Sequence, residues 1–240
     1  MAKRQRIRQG MILVSFFLFP ALFYYLSPVL IVKAASHGII NGSFLVFGLL
    51  FLTALSLGRA WCGWLCPGAG CQEALFAACD KKVGKGNWIK WMIWIPWIGS
   101  IAVLAARAGG YSRLDPLYQT THGVSVANLP SLIAYFTVLF ILIVIPALVV
   151  GRRSFCHHLC WMAPFMILGR KTGNALRIPS LQLTARPALC VHCGHCTDQC
   201  PMSLPVDSMI TSGKAEHTEC ILCGTCADVC KANAIRLEFK

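Results

Sequence analysis

Four apolar runs occupy most of the first two thirds of the chain, and polar or glycine-rich segments separate them. The runs cover about residues 11–32, 39–57, 88–106 and 131–150. An α-helix rises about 1.5 Å per residue, so roughly 20 apolar residues cross the hydrocarbon core of a bilayer. The pattern therefore predicts a membrane α-helical protein with four transmembrane helices.

The last quarter of the chain has a different pattern, because its apolar runs are short and its cysteines recur at fixed intervals. Two runs of the form C-x2-C-x2-C-x3-C begin at Cys190 and Cys220, 30 residues apart. This spacing is typical of bacterial two-cluster ferredoxins, in which a short loop wraps around a [4Fe-4S] cluster. We therefore predict a membrane domain at 1–168, a linker at 169–186 and an α+β ferredoxin domain at 187–240.

The fourth cysteine of each run is expected to bind the cluster of the other run. One [4Fe-4S] cluster is then held by Cys190, Cys193, Cys196 and Cys230, and the second by Cys220, Cys223, Cys226 and Cys200. A structural zinc module is the alternative. However, zinc ribbons pair C-x2-C units across longer gaps and do not use eight evenly spaced cysteines.

Composition agrees with a membrane protein that keeps its thiols reduced. The chain is 56% hydrophobic and 13% charged, and its mean hydropathy of +0.62 lies outside the range of soluble domains. Its 14 cysteines have the spacing of metal ligands rather than of a disulfide framework. The formal charge of +13 arises mainly from basic residues beside the apolar runs, so we expect contact with lipid and no nucleic-acid partner.

The distribution of basic residues predicts the orientation in the membrane. The N-terminal segment carries four, the loop between the second and third runs carries five, and the other two loops carry one and two. Cytoplasmic loops carry the excess of lysine and arginine. Both termini of this multi-pass protein are therefore predicted to be cytoplasmic, on the inner membrane, which places the ferredoxin domain in the reducing compartment.

An internal repeat supplies a second group of cysteines. Residues 59–66 resemble residues 153–160, 94 positions later, and each segment holds a C-x3-C motif at the end of a predicted hairpin. Positions i and i+4 share one face of a helix, so Cys62, Cys66, Cys156 and Cys160 converge if the repeats face each other. Four such thiolates could hold a third iron-sulfur cluster or another thiophilic metal. Redox-active disulfides and inert buried thiols are the alternatives.

The sequence lacks the motifs of other common electron carriers. It has no C-x2-C-H for c-type haem, no histidine inside an apolar run for a membrane haem, and no P-loop or G-x-G-x-x-G for a nucleotide. We therefore expect a quinol or quinone to exchange electrons with the chain in the membrane. In the polar loop 107–130, Asp115 and His122 are candidate catalytic acceptors of the quinol protons, and an ordinary polar loop is the alternative.

Together these motifs resemble the membrane ferredoxin subunits of the periplasmic nitrate reductase system (NapH type), which have relatives among nitrous oxide reductase accessory and cytochrome oxidase assembly proteins. The resemblance rests on GRAWCGWLCP at 58–67, RSFCHHLC at 153–160, D-P-L at 115–117 and the two C-terminal runs. It implies the electron-transfer subunit of a quinol dehydrogenase-type oxidoreductase. Such a subunit relays electrons between the quinone pool and partner redox subunits of a respiratory complex through two cytoplasmic [4Fe-4S] clusters.

Two other functions fit the same residues less directly. A cofactor-assembly factor would use Cys62, Cys66, Cys156 and Cys160 to bind or reduce copper, since soft thiolates suit Cu(I). A redox sensor needs one centre, whereas eight cluster cysteines indicate a relay. The direction of electron flow stays open, because cluster potentials depend on hydrogen bonds and exposure that a sequence does not define.

Overall fold

The computed structural model describes residues 3–84, 86–213 and 215–240. The described part is mainly helical, with two small two-stranded sheets. Its α-helices are α1 Lys3–Phe17, α2 Phe19–Leu22, α3 Pro28–Ala35, α4 Gly42–Leu57, α5 Ala60–Trp64, α6 Pro67–Ala74, α7 Ile89–Arg107, α8 Leu129–Thr137, α9 Ile145–Val149, α10 Ser154–His158, α11 Ala163–Ala175, α12 His195–Asp198, α13 Val206–Thr211 and α14 Thr225–Val229. Its strands are β1 Ile39–Asn41, β2 Arg113–Asp115, β3 Leu181–Ala185 and β4 Ile235–Phe239.

Two of the four predicted runs are single helices long and apolar enough to cross a membrane. One is α7, with 19 residues, and the other runs without a break from α8 to α9 over 21 residues. The second helix widens into a π-helical turn at Val138–Val144, directly before Pro146. Proline has no N–H to donate and its ring crowds the carbonyl four residues earlier, which accounts for the local widening.

The first predicted run, 11–32, is not one continuous helix. α1 ends at Phe17, and the following segment Phe19–Leu26 leaves at an angle of 60°. Pro20 and Pro28 interrupt the backbone ladder, and α3 begins anew at Pro28 with the Ser27 side chain accepting from the Leu30 N–H at 3.4 Å. Among the described residues, up to three membrane-crossing helices are present if the bent pair counts as one.

The second predicted run forms α4, which has 16 residues and is short for a bilayer span. α4 packs closely on α11, because Gly169 and Gly173 present bare backbone to it. A Cβ at Gly173 would overlap the carbonyl oxygen of Leu55, and one at Gly169 would lie 2.9 Å from the Ala54 side chain. Small residues four apart allow such close helix contact. The four-span topology is therefore not confirmed and stays a prediction.

The cysteine-rich part has an α+β arrangement. β3 pairs antiparallel with β4, with Leu183 opposite Leu237, and the two cysteine runs with their short helices α12 and α14 lie between these strands in sequence. β3 falls inside the stretch assigned to the linker. The proposed domain boundaries stay a prediction.

Candidate metal centres

Each of the two cysteine sets expected to bind a [4Fe-4S] cluster lines one cavity. We name them by their position: the distal set is Cys190, Cys193, Cys196 and Cys230. The proximal set is Cys200, Cys220, Cys223 and Cys226. Each cavity thus joins three cysteines of one run to the fourth of the other, which is the combination that the spacing predicts.

The two runs have the same backbone shape. Gly194 and Gly224 both have φ of 74°, and His192 and Leu222, two residues earlier, also have positive φ, at 54° and 50°. Left-handed residues alternate with ordinary ones, so the loop turns sharply enough to direct its cysteines to one centre. The equivalence at 30 residues indicates two sites built in the same way.

The surroundings of the two sets differ. Cys193 is exposed and its neighbour Val191 is 71% exposed, whereas the proximal cavity is enclosed by side chains such as Met202 and Ile221, each 1% exposed. Burial raises the pKa of Cys200 to about 11 and that of Cys220 to about 12. Thiolates buried together need compensating positive charge, and iron in a cluster supplies it, so the donor set fits.

A third group of thiols converges where the repeated motifs meet. We call Cys62, Cys66, Cys156 and Cys160 the repeat set; all four are buried. Burial raises the pKa of Cys66, and the charges of the other three thiols raise it further. The short helices α5 and α10 hold the two motifs at equivalent positions. The four sulfurs therefore form one soft-donor group.

Two side chains cross between the repeats at this group. Gln72 Nε2 donates to Cys156 Sγ at 3.3 Å, and the Cys62 thiol lies 3.9 Å from Met166 Sδ. Gln72 and Met166 are each six residues after the second cysteine of their repeat. Both contact the first cysteine of the opposite repeat, as a pseudo-twofold arrangement requires. Neither residue is among the predicted site residues, although the 94-residue offset of the repeats relates them.

Two buried groups of three charged side chains, here called ionic trios, flank the repeat set. Each contains the arginine that lies three residues before the first cysteine of one motif. Arg59 and Lys90 both contact Glu219, at 2.6 Å. Arg153 and Arg8 both contact Glu73, the latter at 2.8 Å. Each trio holds two cations and one carboxylate, so each carries a net charge of about +1. Together they match the charge of about −2 that a [4Fe-4S] core of charge +2 with four thiolates carries.

Other nitrogen atoms of these arginines are buried near the repeat set and lack an oxygen or nitrogen acceptor in the described part of the chain. Arg59 Nε and Nη2 and Arg153 Nε are buried and have no hydrogen-bond acceptor among the described residues. Arg153 also donates from Nη1 to the Cys62 carbonyl at 2.8 Å. Unpaired buried cationic groups are costly unless an anionic group lies nearby. A thiolate-ligated centre fits this environment.

The repeat set and the proximal set belong to adjoining segments. Gly63, between the two cysteines of the first motif, lies so close to the proximal run that a Cβ would overlap the Ile221 carbonyl oxygen. Trp64 Nε1 donates to the Leu222 carbonyl at 3.1 Å, and Gln5 Nε2 to the Cys223 carbonyl at 3.0 Å. The first motif and the start of α1 therefore pack directly against the proximal run.

The candidate proton acceptors lie at the other end of α4. Asp115 pairs with Asn41 in the parallel β1–β2 ladder, directly before α4 begins, whereas the first motif follows the end of α4. Sixteen helical residues separate these ends by about 24 Å. His122 follows in the same loop, with φ of 50°. The structure does not bring Asp115 or His122 to the repeat set.

Within the ranges that the structure describes, no three His, Cys, Asp or Glu side chains are arranged to hold a single metal ion. The cysteine sets instead suit multi-iron clusters, whose thiolates are held apart by the cluster itself.

Comparison with known proteins supports iron-sulfur binding in both cysteine-rich regions. A model of a 4Fe-4S binding domain matches twice, at residues 40–86 and 133–179, once in each repeat. A model of a 4Fe-4S dicluster domain matches residues 189–235. The two matches of one model agree with the repeat seen in the sequence.

One curated relative is similar over much of the chain. It is an Escherichia coli (strain K12) protein named "Putative electron transport protein YccM", 24% identical over 178 residues, or 70% of this chain and 48% of that protein. The chain thus spans about half the length of that relative. No solved structure matches the chain. The chain contains 4Fe-4S ferredoxin-type domains and is similar to an electron transport protein.

Proposed function

We propose that this chain is a membrane-bound iron-sulfur electron-transfer subunit that relays electrons between the quinone pool and a partner redox protein. In this proposal the repeat set holds a third centre, and electrons pass between it, the proximal cluster and the distal cluster. When bound, the clusters supply one-electron redox chemistry. The protein residues hold the clusters, exclude water from them and determine which cluster lies next to which.

The contact between the first C-x3-C motif and the proximal run is the observation that carries the proposal. Gly63 lies against Ile221, and Trp64 donates to Leu222 at 3.1 Å. Both contacts join a segment that carries repeat-set cysteines to the loop that carries three proximal cysteines. Three cysteine sets in spatial succession favour an electron relay over a redox sensor or an electron store.

The exposed distal set supports a partner protein at the outer end of the relay. Leu189 and Val191 beside it are 44% and 71% exposed. Apolar side chains next to an exposed redox centre suit a transient contact that brings two centres close together. The partner is therefore proposed to exchange electrons with the distal cluster.

The membrane end of the relay is proposed to use a lipid-soluble quinone. An apolar cavity adjoins the repeat set and is lined by Phe19, Phe23, Cys66, Phe155 and Trp161, among others. At about 20 Å³ the cavity holds no more than a water molecule, so it marks an apolar face beside Cys66 that a quinone ring would have to open. Proton acceptance by Asp115 or His122 stays a prediction. In that case the proton acceptor and the thiols that exchange electrons would lie at opposite ends of α4.

The proposed orientation has both termini on the cytoplasmic side of the inner membrane. Arg4 pairs with Asp228 at 2.8 Å and Gln5 donates to the Cys223 carbonyl. These contacts support a common side for the start of α1 and the ferredoxin domain. The excess of basic residues beside the apolar runs supports the cytoplasm as that side.

Quinol-dependent reduction of the clusters tests this function. Purified chain in detergent is mixed with a short-chain quinol, or is reduced with dithionite and mixed with quinone, while cluster absorbance and EPR are followed. We expect one direction to proceed, with about 12 iron atoms per chain. A Cys62→Ala/Cys156→Ala variant should hold about eight and lose exchange with quinone, yet keep dithionite reduction.

Two results would contradict the proposal. One is quinone exchange at the wild-type rate in the double variant, and the other is no exchange in either direction in wild-type protein. Asp115→Asn and His122→Asn, assayed in the same way, test the proton acceptors. Unchanged quinol oxidation in both variants removes that role.

A copper-handling function is the second candidate, and Met166 favours it. Its thioether lies 3.9 Å from the Cys62 sulfur. Cys and Met together are the ligands that select Cu(I). Titration of Cu(I) into wild-type protein and the Met166→Leu variant decides: stoichiometric binding that the variant weakens supports copper, and no binding removes it.

A further inference from the structure

The two repeats present different side chains to their shared group of thiols. At one position Gln72 is fully buried, with 0% exposed, and at the equivalent position Met166 is also 0% exposed. Gln72 donates an N–H to a cysteine sulfur, and Met166 has no donor to offer. The two repeats therefore differ at this position in whether an amide N–H is offered to the opposite cysteine.

The orientation of the Gln72 amide is determined by its neighbours. Its Oε1 accepts from the Phe155 N–H at 3.1 Å, while its Nε2 donates to the Gly68 carbonyl at 3.0 Å and to Cys156 Sγ at 3.3 Å. A flipped amide would set an oxygen against the Gly68 oxygen and an NH2 group against the Phe155 N–H. The N–H therefore faces the sulfur, and no other amide orientation satisfies these three groups.

A hydrogen bond to a cluster sulfur has a definite effect on redox chemistry. The reduced state carries one more negative charge, part of which resides on the thiolates. An N–H directed at a thiolate stabilises that state more than the oxidised one and raises the reduction potential. The effect is large where burial excludes water, as it does at Cys156, which is 3% exposed.

We propose that Gln72 is a positioning residue that raises the reduction potential of the centre held by the repeat set, through its N–H to Cys156, and that Met166 offers Cys62 no such amide donor. The inference rests on the proposed third centre. Gln72 favours electron residence at this centre and so sets how readily it exchanges electrons with quinone and with the proximal cluster.

Exchanging the two side chains tests the proposal in both directions. The full chain is titrated electrochemically, and the third centre is identified as the EPR signal that Cys62→Ala/Cys156→Ala removes. Gln72→Met should shift the midpoint of this signal downward, and Met166→Gln should shift it upward. The midpoints of the two ferredoxin clusters should not move in either variant.

Two further variants separate the redox role from a structural one. Gln72→Glu keeps an oxygen for the Phe155 N–H and, once the carboxyl is ionised at high pH, has no donor for Cys156, so it should then also lower the midpoint. Met166→Leu changes volume little and adds no donor, so its midpoint should equal that of the wild type. Because Met166→Gln is a gain of function, it remains informative if the Gln72 variants fold poorly.

The outcomes distinguish this inference from the proposed function. If the third signal is present and neither Gln72→Glu nor Met166→Gln moves it, Gln72 only supports α10 and the inference is overturned. If wild-type protein holds about eight iron atoms and shows no third signal, the centre itself is overturned, and this inference with it.

Discussion

At the scale of single residues, the buried charges around the cysteines are paired across long stretches of sequence. Arg59 and Arg153 occupy the same place in the two repeats, yet one meets Glu219 of the ferredoxin part and the other Glu73 of α6. A buried guanidinium without a carboxylate is strongly unfavourable, so each glutamate is required where it stands. The repeated arginines can be recognised in the sequence, but their partners cannot.

Glu219 should contribute far more to stability than its neighbour Glu216. Glu219→Gln leaves Arg59 and Lys90 buried without a counter-ion, and we expect a loss of about 3–5 kcal/mol in the free energy of unfolding. The matched control Glu216→Gln removes a carboxylate whose side chain is 51% exposed and pairs with Arg170, so its effect should stay below about 1 kcal/mol. Urea unfolding in detergent, followed through cluster absorbance, measures both. Equal losses would contradict the assigned role of the Glu219 trio.

At the scale of elements, close backbone contacts decide how helices and loops meet. α4 and α11 approach through Gly169 and Gly173, and α5 approaches the proximal run through Gly63. The prolines act in the opposite sense: Pro20 and Pro28 divide a run that hydropathy alone predicts as one span. Hydropathy measures the environment of a segment, whereas proline and glycine determine whether its backbone stays continuous or closely packed.

Gly63→Ala should loosen the proximal run from α5. The new methyl group overlaps the Ile221 carbonyl oxygen, which is backbone and cannot rotate away. This overlap outweighs the gain of up to about 1 kcal/mol that alanine brings to a helix. Hydrogen exchange of residues 220–226 should therefore accelerate. The control Gly48→Ala, with no atom near its added Cβ, should leave that exchange unchanged, and protection retained in both variants would refute the close contact.

At the scale of the whole molecule, the distal cysteine set lies towards solvent and the proximal set lies against the helical part. Contacts from α1, from the first motif and from Arg152 hold the proximal side, the last through its Nη1 donating to the Cys200 carbonyl at 3.4 Å. In the distal set, by contrast, Cys193 is exposed and no side chain of the described residues covers it in this way. The two cysteine sets therefore differ in exposure, one inner and one outer.

Loss of iron should accordingly occur in two phases. A hydrophilic chelator applied after mild oxidation reaches the distal set first, and we expect about four iron atoms to leave before the rest. Iron release measured against time gives the phases. Cys193→Ser, which removes one distal ligand, should abolish the fast phase alone. A single phase in wild-type protein would show that the two sites are equally accessible.

Much of the chemistry was readable from the sequence, because cluster ligation depends on local spacing. The presence of 4Fe-4S domains, the duplication of the helical part and two of the four long apolar helices follow from patterns within a few tens of residues. Ligand spacing is a property of one loop, and hydropathy a property of one segment. Such signals persist whatever the rest of the chain does.

Only the tertiary structure decided how these parts meet. It paired Glu219 with Arg59, brought Gln72 to Cys156 and Met166 to Cys62, and packed Gly63 against the proximal run. It also separated Asp115 from the thiols by the length of α4. These relations join residues far apart in sequence, because burial of charge and close packing are satisfied in three dimensions and leave no local pattern.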